Sequence, residues 1–362
     1  MQDVGWLLPI AGGLAGIVIG AAARRDRFCT LAALERLWYA NDSSGLRTWI
    51  LAATVALIAT QAMALTGVID LTQAFYLNPN FGWTGAILGG LAFGFGMALV
   101  GTCGFGALVR LGGGSLRSLV VLLVLGLSAL AAQRGLIAQG RVEIVDNLAA
   151  DLSFAGDQSL GSIFSALLGF DARLVVALAA AALLLTWIFS SANYRRRRGN
   201  IVTGCIIGLG IAFGWLATTW AAQRAFEPIQ IEAGSFVVPV GDTLIQFIAF
   251  TGVLPDYGVG LVIGVGLGAA LVAWRKHDVR WEACDDAREL GRHIVGAFLM
   301  GTGGVFAMGC TIGQGVTAAS TLAVSAPVVM LSIAAGARLG LAYLLEGSVW
   351  SVFRITHRES AE

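Results

Sequence analysis

The chain has 362 residues, of which 57% are hydrophobic and only 12% charged, with a mean hydropathy of +0.79 and a formal net charge of +1. A water-soluble domain carries about 25% charged residues, so this composition leaves too little charge to cover a water-facing surface and describes an integral membrane protein. Arginine supplies 22 of the 23 basic residues, Lys276 being the one lysine, and their short clusters fit membrane flanks rather than a nucleic-acid partner.

Glycine contributes 49 residues and proline only six. With no collagen period, that glycine content points to closely packed and interrupted membrane helices. The five cysteines, Cys29, Cys103, Cys205, Cys284 and Cys310, form no CxxC pair, and their odd number leaves at least one unpaired. No cofactor, metal-ligand or nucleotide-binding motif stands out.

In chain order, Trp6 to Ala23 is a first span that runs into Arg24, Arg25 and Arg27 rather than into a signal cleavage site. Leu31 to Tyr39 is a short helix, and Thr48 to Ile69 a second span. A turn-rich loop follows, from Asp70 to Phe81. Between Gly82 and Val109 the chain is apolar yet holds nine glycines, which predicts one traverse made of two half-helices. Leu119 to Ala132 is a fourth span, Leu160 to Phe170 a short interfacial helix, and Ala172 to Ser190 a fifth span. Arg195 to Arg198 marks the link between two halves, expected at residues 1–194 and 201–362 with a basic linker at 195–200. Ile201 to Ala221 is the sixth span, followed by an acidic loop with Glu227, Glu232 and Asp242. Leu244 to Phe250 is too short to cross, and Val259 to Trp274 is the seventh span. A charged stretch from Arg275 to Arg292 leads to an eighth segment, Gly296 to Cys310. Thr311 to Leu322 is a second half-helix, Pro327 to Leu345 the ninth span, and Arg354, His357 and Arg358 lie in the tail.

The expected fold class is therefore an all-α polytopic membrane protein of about nine transmembrane helices plus short re-entrant helices. With the N-terminus outside, 18 of the basic residues fall on inner segments, and only Arg134, Arg141, Arg173 and Arg224 fall outside. That bias predicts a cytoplasmic C-terminus.

Placing Cys103 on Cys310, an offset of 207 residues, also superposes Gly94 on Gly301, Gly96 on Gly303 and Gly106 on Gly313. In the expected topology the two segments run in opposite directions, so the repeat is inverted and brings two interrupted elements together near the midplane.

Gly101-Thr-Cys-Gly-Phe-Gly106 and Met308-Gly-Cys-Thr-Ile-Gly313 are the leading site candidates. Gly101, Gly104, Gly106, Gly309 and Gly313 break the helices, exposing backbone N–H groups that suit an anion, and Cys103 and Cys310 add polarizable thiols. Packing among glycines is the alternative role for these two cysteines. Cys29, behind a basic cluster, is a third candidate, while Cys205 and Cys284 read as incidental. Arg338, inside the ninth span, either guides an anion, pairs with Glu346 or reaches the interface. Among the amides in apolar surroundings, Gln61, Gln246 and Gln314, whose alternative role is interhelical packing, Gln314 is the best placed to bind substrate oxygens.

On Arg27-Phe-Cys29, Gly101-Thr-Cys-Gly-Phe-Gly106 and Gly309-Cys-Thr-Ile-Gly313, over nearly its whole length, the chain resembles the bacterial YeeE/YedE family of sulfur-compound transporters. The resemblance implies a thiosulfate importer of the bacterial inner membrane that passes its substrate along Cys29, Cys103 and Cys310 without hydrolysis or a cofactor. It also implies membrane lipid as surroundings and a cytoplasmic sulfur-carrier protein as a partner. Another sulfur or selenium compound is the alternative cargo, and a membrane thiol oxidoreductase is the alternative class. Energy coupling stays open between proton-driven and potential-driven import.

Overall fold

A computed structural model describes residues 4–225, 229–250 and 255–347. Glu227 and the tail residues Arg354, His357 and Arg358 lie outside the described residues. Within them the chain is helical, in the order α1 Val4–Asp26, α2 Thr30–Ala40, α3 Ser44–Leu65, α4 Trp83–Val100, α5 Gly104–Leu111, α6 Leu116–Arg134, α7 Leu136–Gly140, α8 Leu160–Leu168 and α9 Arg173–Phe189. After these come α10 Ala192–Arg196, α11 Arg198–Ala222, α12 Val238–Ile248, α13 Tyr257–Arg275, α14 Ala287–Phe306 and α15 Ser325–Glu346. A two-residue antiparallel pairing of Asn80–Phe81 with Ala150–Asp151 ties two loops together.

Among the described residues, seven helical stretches are long and apolar enough to cross a membrane: α1 running on into α2, α3, α4 with α5, α6, α11, α13 and α15. The other two expected crossings are α9 and α14. The first has only 17 residues, about 25 Å at 1.5 Å per residue. The second starts nine residues before Gly296, inside the charged stretch, because Asp286 caps it by accepting from the Glu289 N–H. Similarly α12 begins at Val238 rather than Leu244, since Pro239 is suited to a first helical turn. The arginine run is itself helical apart from Arg197, which breaks α10 from α11.

Glycine does the packing. On α1, Gly12, Gly16 and Gly20 face the Tyr257, Leu261 and Val265 carbonyls of α13, so closely that a methyl group on any of them would lie within 2.1–2.4 Å of a carbonyl oxygen. Gly260, Gly264 and Gly268 return the contact against Pro9, Gly13 and Ile17. Small residues at every fourth position allow this backbone approach, which dispersion and shape then hold in a lipid medium. On α11, Gly204 and Gly208 face the Thr48 and Ala52 carbonyls of α3 in the same manner.

These contacts come in matched pairs. As α1 packs on α13, so α11 packs on α3; as α15 packs on α4, so α6 packs on α14. Gly94 admits the Ile333 carbonyl of α15, and its offset partner Gly301 admits the Leu125 carbonyl of α6. Gly96 of α4 meets Gly296 of α14, while Gly89 meets Gly303, so α4 and α14 run antiparallel. The packing has the pattern that internal symmetry produces.

The end bearing most arginines is braced by ion pairs. Arg24 pairs with Asp278 at 3.0 Å, and Arg117 with Glu282 at 3.0 Å and Glu289 at 2.9 Å, joining α1 and α6 to the α13–α14 connection.

Candidate functional site

Three interruptions of the helical chain meet at the centre. At the first, α4 ends on Gly101 with a left-handed φ of 77°, and Cys103 caps α5, its Sγ accepting from the Gly106 N–H at 3.4 Å. At the second, α14 ends before Met308 and Gly309, with φ of 57° and 156°, and Cys310 Sγ accepts from the Gly313 N–H at 3.4 Å. The helix that follows, residues 311–320, has a π-helical middle at Gly313–Ala318. At the third, Arg27 turns the chain with φ of 53°, and Cys29 stands extended at the start of α2. The two offset-related cysteines therefore occupy the same local structure.

Cys103 is 1% exposed and Cys310 0% exposed, whereas Cys29 stays partly open. The thiols of Cys29 and Cys310 both lie near enough to that of Cys103 for charge on one to act on another. Of the five cysteines, these three share one site. Cys205 sits instead in a satellite cluster with Leu51, Ile188 and Tyr194. Cys284 approaches His293, Sγ to Nδ1 at 3.7 Å, in the α13–α14 connection.

Around Cys310 the donors converge. The N–H groups of Phe236, Ile312 and Gly313 and the Ser235 hydroxyl all face its sulfur. Thr102, adjoining Cys103, has a buried hydroxyl with no hydrogen-bond partner, while the buried Thr311 hydroxyl is directed at the Cys103 sulfur. A buried hydroxyl without a partner is costly, and next to a donor-lined thiol it marks a place for a polar occupant. Phe28, Phe105 and Phe236 pack in a row beside the thiols, Phe28 to Phe105 at 6.2 Å and Phe105 to Phe236 at 4.9 Å between ring centroids.

The five candidate glycines have distinct reasons. Gly101 and Gly309 hold left-handed backbone. A methyl group at Gly104 would come within 2.9 Å of the Phe236 carbonyl oxygen, and one at Gly106 within 2.2 Å of Thr102 Oγ1. At Gly313 it would meet Tyr76 Oη at 3.0 Å and Ser235 Oγ at 3.1 Å, filling the space before Cys310.

Gln314 is buried and its amide is engaged. Nε2 donates to the Ala307 and Met308 carbonyls at 2.8 and 3.2 Å, and Oε1 accepts from Ser325 Oγ at 3.1 Å, so it ties the open end of α14 to the next helix. Gln61 likewise donates to the Ser320 carbonyl at 3.0 Å. Arg338 lies apart from the thiols: its guanidinium stacks over Trp38 and Tyr39 at 5.4 and 4.9 Å, and Nη1 is buried without a hydrogen-bond partner. The pairing of Arg338 with Glu346 is absent among the described residues. Among those residues, no group of three or more His, Cys, Asp or Glu side chains is placed to hold a metal ion.

Sequence reasoning missed Tyr76, in a single 3-10 turn at Phe75–Leu77, and Ser235 and Phe236, in an irregular segment, none of which shows periodicity. One signal was present: α2 and α12 have 11 residues each, beginning at Thr30 and Val238. That spacing aligns Phe28-Cys29 with Phe236-Val237, so a valine stands opposite Cys29 in this alignment.

Two curated relatives are both thiosulfate transporters named TsuA. The protein from Escherichia coli (strain K12) is 23% identical over 317 residues, covering 84% of this chain and 86% of its own. The one from Spirochaeta thermophila is 25% identical over 322 residues, covering 87% and 92%. The sequence pattern described as sulphur transport matches residues 25–339, a stretch that contains all three central cysteines and both helix breaks. The chain belongs to this YeeE/YedE sulphur-transport family, and is a multi-pass membrane transporter of sulfur compounds rather than an enzyme.

Proposed function

We propose that this protein carries thiosulfate into the cell through a central path lined by Cys29, Cys103 and Cys310. The observation that carries the reading is the meeting of three thiols at helix breaks, two of them capped identically and sealed from the surroundings. Relatives bearing the name thiosulfate transporter support the substrate.

Thiosulfate is a small dianion with acceptor oxygens and a soft terminal sulfur. Backbone N–H groups at the starts of the short helices, with the Ser235, Thr102 and Thr311 hydroxyls, suit the oxygens, and thiols suit the sulfur as weak donors. Successive weak sites bind such an ion without trapping it. Gln314 holds the Cys310 break in shape, and Arg338 adds positive potential on the arginine-rich side. The glycines at 101, 104, 106, 309 and 313 keep the breaks open.

In this reading the chain crosses the inner membrane nine times, α9 and α14 included, with the N-terminus outside and the C-terminus cytoplasmic. Residues 1–194 and 201–362 are two halves of an inverted repeat joined at 195–200. The antiparallel approach of α4 and α14 and the matched helix pairs support that arrangement.

The test is uptake of labelled thiosulfate by purified protein in liposomes, with unlabelled thiosulfate, sulfate and selenite as competitors. Competition by thiosulfate well ahead of the others is expected. Equal or stronger competition by selenite or sulfate would move the assignment to another anion.

A further inference from the structure

Beside the thiols lies an ionisable group that the pathway described so far leaves unused. Glu232 stands on the extended segment before α12, deep among its neighbours yet still partly open, as is Ser235. The Gly258 N–H in the first turn of α13 donates to its carboxylate. Asp256, the N-cap of α13, and Asp242 on α12 lie close enough to repel it. The cation facing this group is Arg134, 3.9 Å from Asp242 and also acting on Asp256. Three carboxylates thus share one guanidinium among the described residues, a surplus of negative charge that binding a proton relieves.

Two tyrosines place this cluster beside the path. Tyr257 is 1% exposed, its hydroxyl has no hydrogen-bond partner, and it lies against Gly214 and Ala233, the residue after Glu232, within the field of the Glu232 carboxylate. The Tyr76 hydroxyl neighbours Ser235 and feels charge on both Cys310 and Glu232. Glu232 therefore lies on the same short segment as Ser235, whose hydroxyl stands with that of Tyr76 beside Gly313, next to Cys310.

An ionised carboxylate here would repel a dianion bound for Cys310. The anion must also enter against an inside-negative potential, which opposes each of its charges. A proton on this group removes the repulsion and, moving with the anion, offsets one of its two charges.

We propose that Glu232 binds a proton that is taken up from the entry side and travels inward with the sulfur anion, making the protein a proton-coupled importer. The proposal rests on the sulfur-anion path above. From Glu232 the proton has the Tyr76 hydroxyl and then the Cys310 thiol ahead of it.

The experiment uses the full chain in liposomes with an entrapped pH dye, labelled thiosulfate and an imposed pH gradient. In the wild type, an outside-acid gradient of one unit is expected to raise accumulation about tenfold per coupled proton, with acidification of the lumen on adding thiosulfate. Glu232→Gln should still exchange labelled for unlabelled thiosulfate across the membrane, while losing both the gradient response and the acidification. Wild-type uptake without proton entry, or a Glu232→Gln variant that keeps its gradient response, would overturn the proposal. If Glu232→Gln does not fold, Glu232→Asp must shift the pH midpoint of uptake, and an unshifted midpoint counts against it. Absence of any sulfur-anion movement in the wild type would instead remove the transport reading beneath it.

Discussion

At Cys103 and Cys310 a thiol occupies the capping position that serine, threonine or aspartate usually fills, although sulfur is the weaker acceptor. Stability alone favours an oxygen there. Replacing either cysteine by serine should therefore leave thermal stability in detergent unchanged or raise it by about 0.5–1 kcal/mol. A marked loss of stability would make the sulfur a packing atom instead. Gly313 gives a second residue-scale expectation, because an alanine there would push its methyl toward Tyr76 and Ser235. Gly313→Ala should cut uptake by tenfold or more in a protein that still purifies as folded, and near-normal uptake would show that the space before Cys310 is not used. At this scale the sequence revealed the three cysteines, since each stands at a glycine or arginine discontinuity in an apolar run. It concealed what Gln314 does, because an amide in an apolar stretch looks the same whether it faces a solute or, as here, the Ala307 and Met308 carbonyls.

Helices α1 and α13 pack backbone to backbone through six glycines on two faces, and this seam is the most demanding contact among the elements. A leucine at Gly264 would drive its side chain into the Gly13 carbonyl, whereas Gly266 on the same helix has no neighbouring atom within 4 Å of a methyl group. Gly264→Leu should destabilise the fold by about 3 kcal/mol, the upper end of what overpacking typically costs, or abolish it, and Gly266→Leu should leave it intact. Similar melting curves for the two variants would refute the seam. Long apolar elements were legible from their hydropathy. Boundaries moved where local chemistry outweighed it: Asp286 capping α14 early, Pro239 opening α12 ahead of Leu244, and Arg197 splitting the basic run. Matched glycines such as Gly94 and Gly301 were visible in sequence as an offset, but only the packing gives each its job of admitting a neighbouring helix.

For the whole molecule, burial divides the proposed path into three parts. Cys29 is partly open on the arginine-rich side, Ser235 and Glu232 are partly open beyond Cys310, and the Cys103–Cys310 pair is closed between them. In the proposed topology an impermeant thiol reagent should label Cys29 from the cytoplasmic face of membrane vesicles, in a variant lacking Cys205 and Cys284, and should not reach Cys103 or Cys310 at rest. Labelling of Cys29 from the outer face would reverse the orientation. The overall plan was legible because composition demands a membrane and glycine offset suggests duplication. The placing of Val237 opposite Cys29 emerged only when Phe28, Phe105 and Phe236 came together. The most direct measurement of the central claim is initial uptake of labelled thiosulfate by liposomes holding equal amounts of folded wild-type, Cys103→Ser and Cys310→Ser protein. A fall of at least tenfold in both variants is the predicted result, and uptake within twofold of wild type in either would contradict passage along the thiols.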